Sequence, residues 1–267
     1  MTARVIVSTQ DGVAEVRLNR PDKMNALDLG MFEALVETGR ALAGEASLRA
    51  VVLSGEGRAF SAGLDFASFM ALAEGSDGAG RLLRREPGGT ANHAQQAASV
   101  WMDLPVPVIA AVHGVAFGGG LQIALGADIR FVTPEAQLSV MEVKWGLIPD
   151  MTGSQTLRRL VRLDVAKELT FTGRIVSGRE AVALGLATHV SDDPRGAALA
   201  LAREIATRSP DAVRAAKRLL DRAGLVTVEE GLRLEESLQL SLIRSPNQIE
   251  AVRANIEKRP PRFVDPA

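Results

Sequence analysis

Short apolar runs that pass directly into glycine-rich turns recur along this chain, and they restrict its fold more than any other feature. Ala50-Val51-Val52-Leu53-Ser54-Gly55 reads as a buried strand and leads to the turn Ser61-Ala62-Gly63-Leu64-Asp65. Val108-Ile109-Ala110-Ala111-Val112 reads as another, leading to Phe117-Gly118-Gly119-Gly120-Leu121, which opens a helix over 121–127. A strand over 129–132 follows directly. Buried strands alternating with helices give a layered α/β fold. Ahead of them, two alternating segments flank Asp11-Gly12, a hairpin signal. Leu29, Phe32, Leu35, Val36 and Leu42 then predict a helix over 28–43, and a further helix is expected over 95–102.

Beyond residue 195 only helical spacing remains, over 197–207, 210–223, 228–243 and 247–257. Ser209-Pro210 and Ser245-Pro246 have the form of an N-cap followed by proline in the first turn. The chain therefore divides into an α/β core over 1–195 and a helical region over 196–267. Such helices bury their apolar stripes on the core or on another subunit. Residues 73–90, rich in glycine and charge (Gly75, Gly78, Gly80, Arg81, Arg84, Arg85), read as a mobile surface segment.

Composition removes several chemistries. Thirty-one basic against 32 acidic residues leave a net charge of −1, which excludes the basic footprint of a nucleic-acid binder. The chain has no cysteine and three histidines, so thiolate chemistry and cysteine-based metal sites are ruled out. His113 is expected to satisfy a local backbone group, His93 to lie in a solvated loop, and His189 has no evident partner. No metal site is expected. The N-terminal residues lack a secretory pattern, and no apolar run reaches the roughly 18–20 residues that span a bilayer. A cytoplasmic protein without a membrane partner is the expectation.

What remains are carboxylates, amides and backbone groups. A glycine turn at a helix start presents unpaired N–H groups, and two such turns converging would form an oxyanion hole. The same glycines would equally serve two tight strand-to-helix turns. Glu142 and Asp150 lie eight residues apart around a Gly and a Pro. Flanked by Met141, Val143, Trp145, Leu147 and Ile148, they suit proton transfer at shifted pKa values. A capping or ion-pairing role for both fits the spacing as well.

Taken in order, Leu18-Asn19-Arg20-Pro21, Asn25-Ala26-Leu27, Ala59 to Asp65, His113 to Gly120, Gly146-Leu147-Ile148-Pro149 and Phe171-Thr172-Gly173 resemble the crotonase (enoyl-CoA hydratase/isomerase) superfamily. The resemblance covers almost the whole chain. It implies a spiral of ββα turns with C-terminal helices that build a homotrimer or a hexamer. It also implies an acyl-CoA substrate, with coenzyme A as part of that substrate and no separate cofactor. By motif position, the oxyanion donors would be the N–H groups of Leu64 and Gly119. Met24, Ala26, Ala62, Gly63, Asp65 and Phe66 would contact the coenzyme A portion, with Gln122 also facing the bound substrate.

One position departs from the hydratase pattern. Hydratases of the family carry a glutamate where this chain has Gln122, and two carboxylates then handle one water. An amide cannot accept that proton. The Glu142/Asp150 spacing is similar to that of the family's dienoyl-CoA isomerases, which have an aspartate in place of Gln122. The resemblance thus implies an enzyme with Glu142 and Asp150 as an acid/base pair. Two alternatives stand beside it: a double-bond isomerase without hydratase activity, and a non-catalytic acyl-CoA-binding protein.

Overall fold

In the computed structural model, which describes residues 3–65, 70 and 78–266, the N-terminal alternation becomes an antiparallel pair, β1 (Val5–Gln10) and β2 (Val13–Leu18). Asp11 and Gly12 between them take φ values of 50° and 77°, a turn whose twist matches that of the strands. β3 (Ala50–Gly55) lies parallel to β2, and β4 (Val108–Val112) lies parallel to β3. A second, smaller sheet begins with β5 (Val115–Phe117), while β6 (Ile129–Val132) returns to the first sheet beside β4. β7 (Gln137–Ser139) runs parallel to β5, β8 (Val176–Ser177) is antiparallel to β7, and β9 (His189–Val190) closes the main sheet against β6.

Helices cover both faces of the main sheet. α1 (Leu29–Ala43) starts at Asp28, whose Oδ1 accepts from the Met31 N–H at 2.9 Å. α2 (Gly78–Leu83) and α3 (His93–Met102) follow, the latter with a reciprocal cap between Asn92 and Gln95. Phe32, Leu35 and Trp101 from α1 and α3 pack with Leu18, Val51, Leu53, Val108 and Ala110 in the larger core cluster. The valine, leucine and phenylalanine side chains among them, fully buried, each contribute about 1.5–3 kcal/mol. Val52, Ile109 and Ala111 point to the opposite face. Because β3 and β4 are buried on both faces, their sequences read as unbroken apolar runs.

After the first glycine-opened helix, α4 (Gly119–Leu125), come α5 (Gly153–Leu160), α6 (Leu163–Thr172) and α7 (Gly178–Leu184). α8 (Pro194–Ala206) lies on the second face of the main sheet, where Ala198 and Ala202 meet Val52 and Ile109. The expected division at residue 195 therefore falls inside a helix that completes the core. α9 (Pro210–Arg222), α10 (Val228–Leu242) and α11 (Pro246–Glu257) form the remaining helical region. Ser209 and Ser245 cap α9 and α11 as expected, each accepting from a backbone N–H.

The segment expected to be mobile over 73–90 is corrected in part. Residues 73–77 lie outside the described ones, but 78–83 form α2. Leu82 packs against the larger core cluster, which gives the short helix an apolar anchor between Arg81 and Arg84. No helix among the described residues is long and apolar enough to cross a membrane.

Candidate active site

Three parallel backbone segments run side by side and end at one cavity. Ser61 bridges Ala116 of β5: the Ser61 N–H donates to Val115 O and the Phe117 N–H donates to Ser61 O, both at 3.0 Å. β7 flanks β5 on its other side. Just past the ends of these segments stand Gly63-Leu64, Gly118-Gly119 and Glu142. Strand pairing, which is local and repetitive, has thus collected residues up to about 80 positions apart in sequence.

The first turn is held from behind. Leu27 N–H donates to Gly63 O at 2.8 Å, and Asp65 N–H donates to Leu27 O at 3.0 Å. Successive peptide groups of an extended segment point in opposite directions. The Leu64 N–H is therefore aimed away from Leu27. Gly63 sits at φ 82°, and a Cβ there would stand 2.5 Å from Phe117 O and 3.7 Å from the Gly119 nitrogen. Only glycine lets the two turns approach this closely. Gly118, at φ 49°, precedes α4, and Gly119 is its first residue, so the Gly119 N–H has no partner within the helix. Leu64 and Gly119 both line the cavity, which has a volume of about 400 Å³.

The supporting loop is equally constrained. Met24 and Asn25 adopt φ 50° and 53°, and Met24 O accepts from the Ala62 N–H at 2.8 Å. Buried Asn25 donates to the carbonyls of Glu56 and Ala59 and accepts from the Arg20 N–H. Arg20 pairs with Asp65 at 2.7 Å. Ala62 and Gly63 line the cavity, whereas Met24, Ala26 and Asp65 form the clamp behind them. Phe66, expected to contact substrate, lies outside the described residues.

The opposite wall is made of side chains. Glu142 begins a short 3-10 turn after β7 and is 8 % exposed. Its Oε1 accepts from Gln122 Nε2 at 2.6 Å, while its buried Oε2 has no hydrogen-bond partner among the described residues. Burial raises the Glu142 pKa, and the nearby charge of Asp150 raises it further; the Gln122 bond acts against both. Asp150 stands at the rim, exposed as a residue, and partial desolvation raises its carboxyl pKa as well. It caps no helix; Thr152 occupies the position before α5.

Gln122 lines the cavity with its carbonyl oxygen fully engaged. The residue is 2 % exposed, and its Oε1 accepts from the Met151 N–H at 2.8 Å and the Gly153 N–H at 2.9 Å. Both carbonyl lone pairs are thereby used, which orients the amide so that Nε2 must face Glu142. Met141, Trp145, Leu147 and Ile148 supply the apolar wall as expected, while Val143 lies elsewhere. Leu27, Phe32, Leu82, Leu83, Phe117 and Met151 also line the cavity. Sequence reading missed these; the apolar pair Leu82-Leu83 inside an arginine-rich stretch was the available signal.

The histidines play local roles. His113 Nε2 lies 2.9 Å from Gly57 O, the backbone partner expected of it. His189 does have a neighbour: its ring packs 4.8 Å from that of Phe131, across the β6–β9 pair. His93 opens α3 rather than lying in a loop.

The family model described as enoyl-CoA hydratase/isomerase matches residues 8–266. The chain is 33% identical over 259 residues to the mitochondrial methylglutaconyl-CoA hydratase of Mus musculus, covering 94% of this chain and 79% of that protein. It is 32% identical over 268 residues to the mitochondrial Delta(3,5)-Delta(2,4)-dienoyl-CoA isomerase of Mus musculus, covering 97% and 81%. The crystal structure of an enoyl-CoA hydratase from Bacillus anthracis superposes with a TM-score of 0.87 at 31% identity, covering 97% of this chain and 98% of that one.

Proposed function

This chain belongs to the enoyl-CoA hydratase/isomerase family of acyl-CoA enzymes, with the crotonase fold, and we propose that its cavity moves a carbon–carbon double bond along the acyl group. The thioester oxygen accepts from the N–H groups of Leu64 and Gly119. One carboxylate of the Glu142/Asp150 pair takes a proton from C2, and the thioester becomes an enolate whose charge lies on that oxygen. The electron pair released from C2 shifts through the adjacent double bond. The second carboxyl group then gives its proton to the far end of the conjugated system. The substrate neither gains nor loses atoms, and the proton has exchanged places within the pair.

The observation that carries this reading is the saturation of Gln122. In the hydratase pattern the second carboxylate that handles water stands at position 122, and here that position is an amide whose carbonyl already accepts two backbone N–H groups. A pair of carboxyls with raised pKa values, one pushed up by the other, suits sharing a single proton. Turnover of a 3-enoyl-CoA, a 3,5-dienoyl-CoA and a 2-enoyl-CoA by the unmodified protein and by Asp150→Asn tests it. Isomerisation that depends on Asp150, with little hydration, is expected. Unchanged isomerisation in Asp150→Asn would sink the proposal, and acyl-CoA binding without any turnover would favour a non-catalytic role.

Assembly is part of the proposal. Val228, Leu232 and Leu240 on α10 are exposed, as are Ile249, Val252 and Ile256 on α11. We propose that other copies of the chain cover these faces in a homotrimer or hexamer, which light scattering would measure. A cytoplasmic location is likewise proposed and is checked by cell fractionation.

A further inference from the structure

Among the described residues, no cation lines the acyl wall of the cavity, and its only ionisable side chains are Glu142 and Asp150, both acidic. Leu27, Phe32, Leu82, Leu83, Ala94 and Ile148 surround them with hydrocarbon. Arg81, next to the wall residue Leu82, is held outside by Glu33 at 2.9 Å.

From this we infer that the site selects uncharged aliphatic acyl groups and rejects acyl groups that end in a carboxylate. The inference rests on the reading that this cavity holds the acyl group of an acyl-CoA. A terminal carboxylate placed here would give up its hydration without gaining an ion pair. It would also face two carboxyl groups, one of which already feels its neighbour's charge. An alkyl end of the same length meets neither penalty and buries apolar surface. Discrimination of this kind comes from an unpaired charge in the competitor, not from a better fit of the favoured ligand.

Calorimetric titration with octanoyl-CoA and its ω-carboxylated counterpart tests the inference. Both thioesters are saturated, so binding is read apart from turnover. The unmodified protein should bind the alkyl form about 100-fold more tightly. Leu83 is 60% exposed at the end of α2, so Leu83→Arg should fold normally while bringing a cation to the wall. It should narrow the ratio by about 10-fold, whereas Leu83→Gln should leave it nearly unchanged. Equal affinities in the unmodified protein would overturn the inference while leaving the acyl-CoA reading standing. Equal narrowing by Arg and Gln would overturn it too, because polarity rather than charge would then decide. Binding of neither thioester would remove the acyl-CoA assignment of the cavity, and the inference with it.

Discussion

The two walls of the cavity are built from different materials. One consists of backbone: Gly63-Leu64 and Gly118-Gly119, held by strand pairing and by the close contact of two turns. The other consists of side chains: Glu142, Asp150 and the amide of Gln122, set among apolar residues. The backbone wall is part of the framework, and its donors need no reorganisation when charge develops on a thioester oxygen. The side-chain wall holds an ionisable group where burial works against its charge. Function and stability should therefore coincide on the first wall and conflict on the second.

Glu142→Gln should show the largest effect on turnover, a loss of about 10²–10⁴-fold. Its melting temperature should nevertheless rise by about 2–4 °C, since a destabilising buried charge is removed. The sign follows from linkage. The Glu142 pKa lies above its ordinary 4.5 in the folded chain, so the protonated carboxyl is favoured there. That contribution is fully present below the unfolded value and is lost as pH rises through the folded one. The thermal gain of the variant should thus be larger at neutral pH than near about pH 4, as calorimetry at both would show.

Gly63→Ala comes next and should reverse the stability sign. The added methyl group meets Phe117 O and must hold φ 82°. Turnover should fall by about 10²–10³-fold as the Leu64 donor moves. Stability should fall with it by about 1–3 kcal/mol, measured by denaturant unfolding. A destabilising Glu142→Gln or a stabilising Gly63→Ala would break the contrast between the walls.

Gln122→Leu should act on the second wall alone, lowering turnover by about 10-fold. It removes the hydrogen bond that holds the Glu142 pKa down, so the limb of the pH–rate profile set by Glu142 should move to higher pH. A merely structural role for Gln122 would lower the rate without that movement. Leu64→Ala should be mildest, within about threefold, because the oxyanion donor is a main-chain group. A loss comparable with that of Gly63→Ala would show that the side chain, not the N–H, matters at this position.

Much of this was legible in the residues. The buried strands, the helices over the C-terminal region, their serine caps and the two glycine turns follow from local patterns, since periodicity and capping depend on near neighbours. That position 195 falls within α8 is not legible in the sequence, because Ala198 and Ala202 carry no mark of which surface they bury against. α2 was overlooked because a helix of six residues owes its existence to tertiary packing of Leu82 rather than to propensity.

At the site, the sequence alone determined the inventory: glycines that permit the turns, two carboxylates, and an amide where a third acid would have stood. Which of these work together was decided by the tertiary structure. Gln122 could have faced substrate, but the backbone N–H groups of Met151 and Gly153 take its carbonyl and turn its amide onto Glu142. Those donors lie about 30 residues away in the chain. The orientation of a side chain that can both donate and accept depends on which partners the fold brings to it, and no spacing in the sequence encodes that.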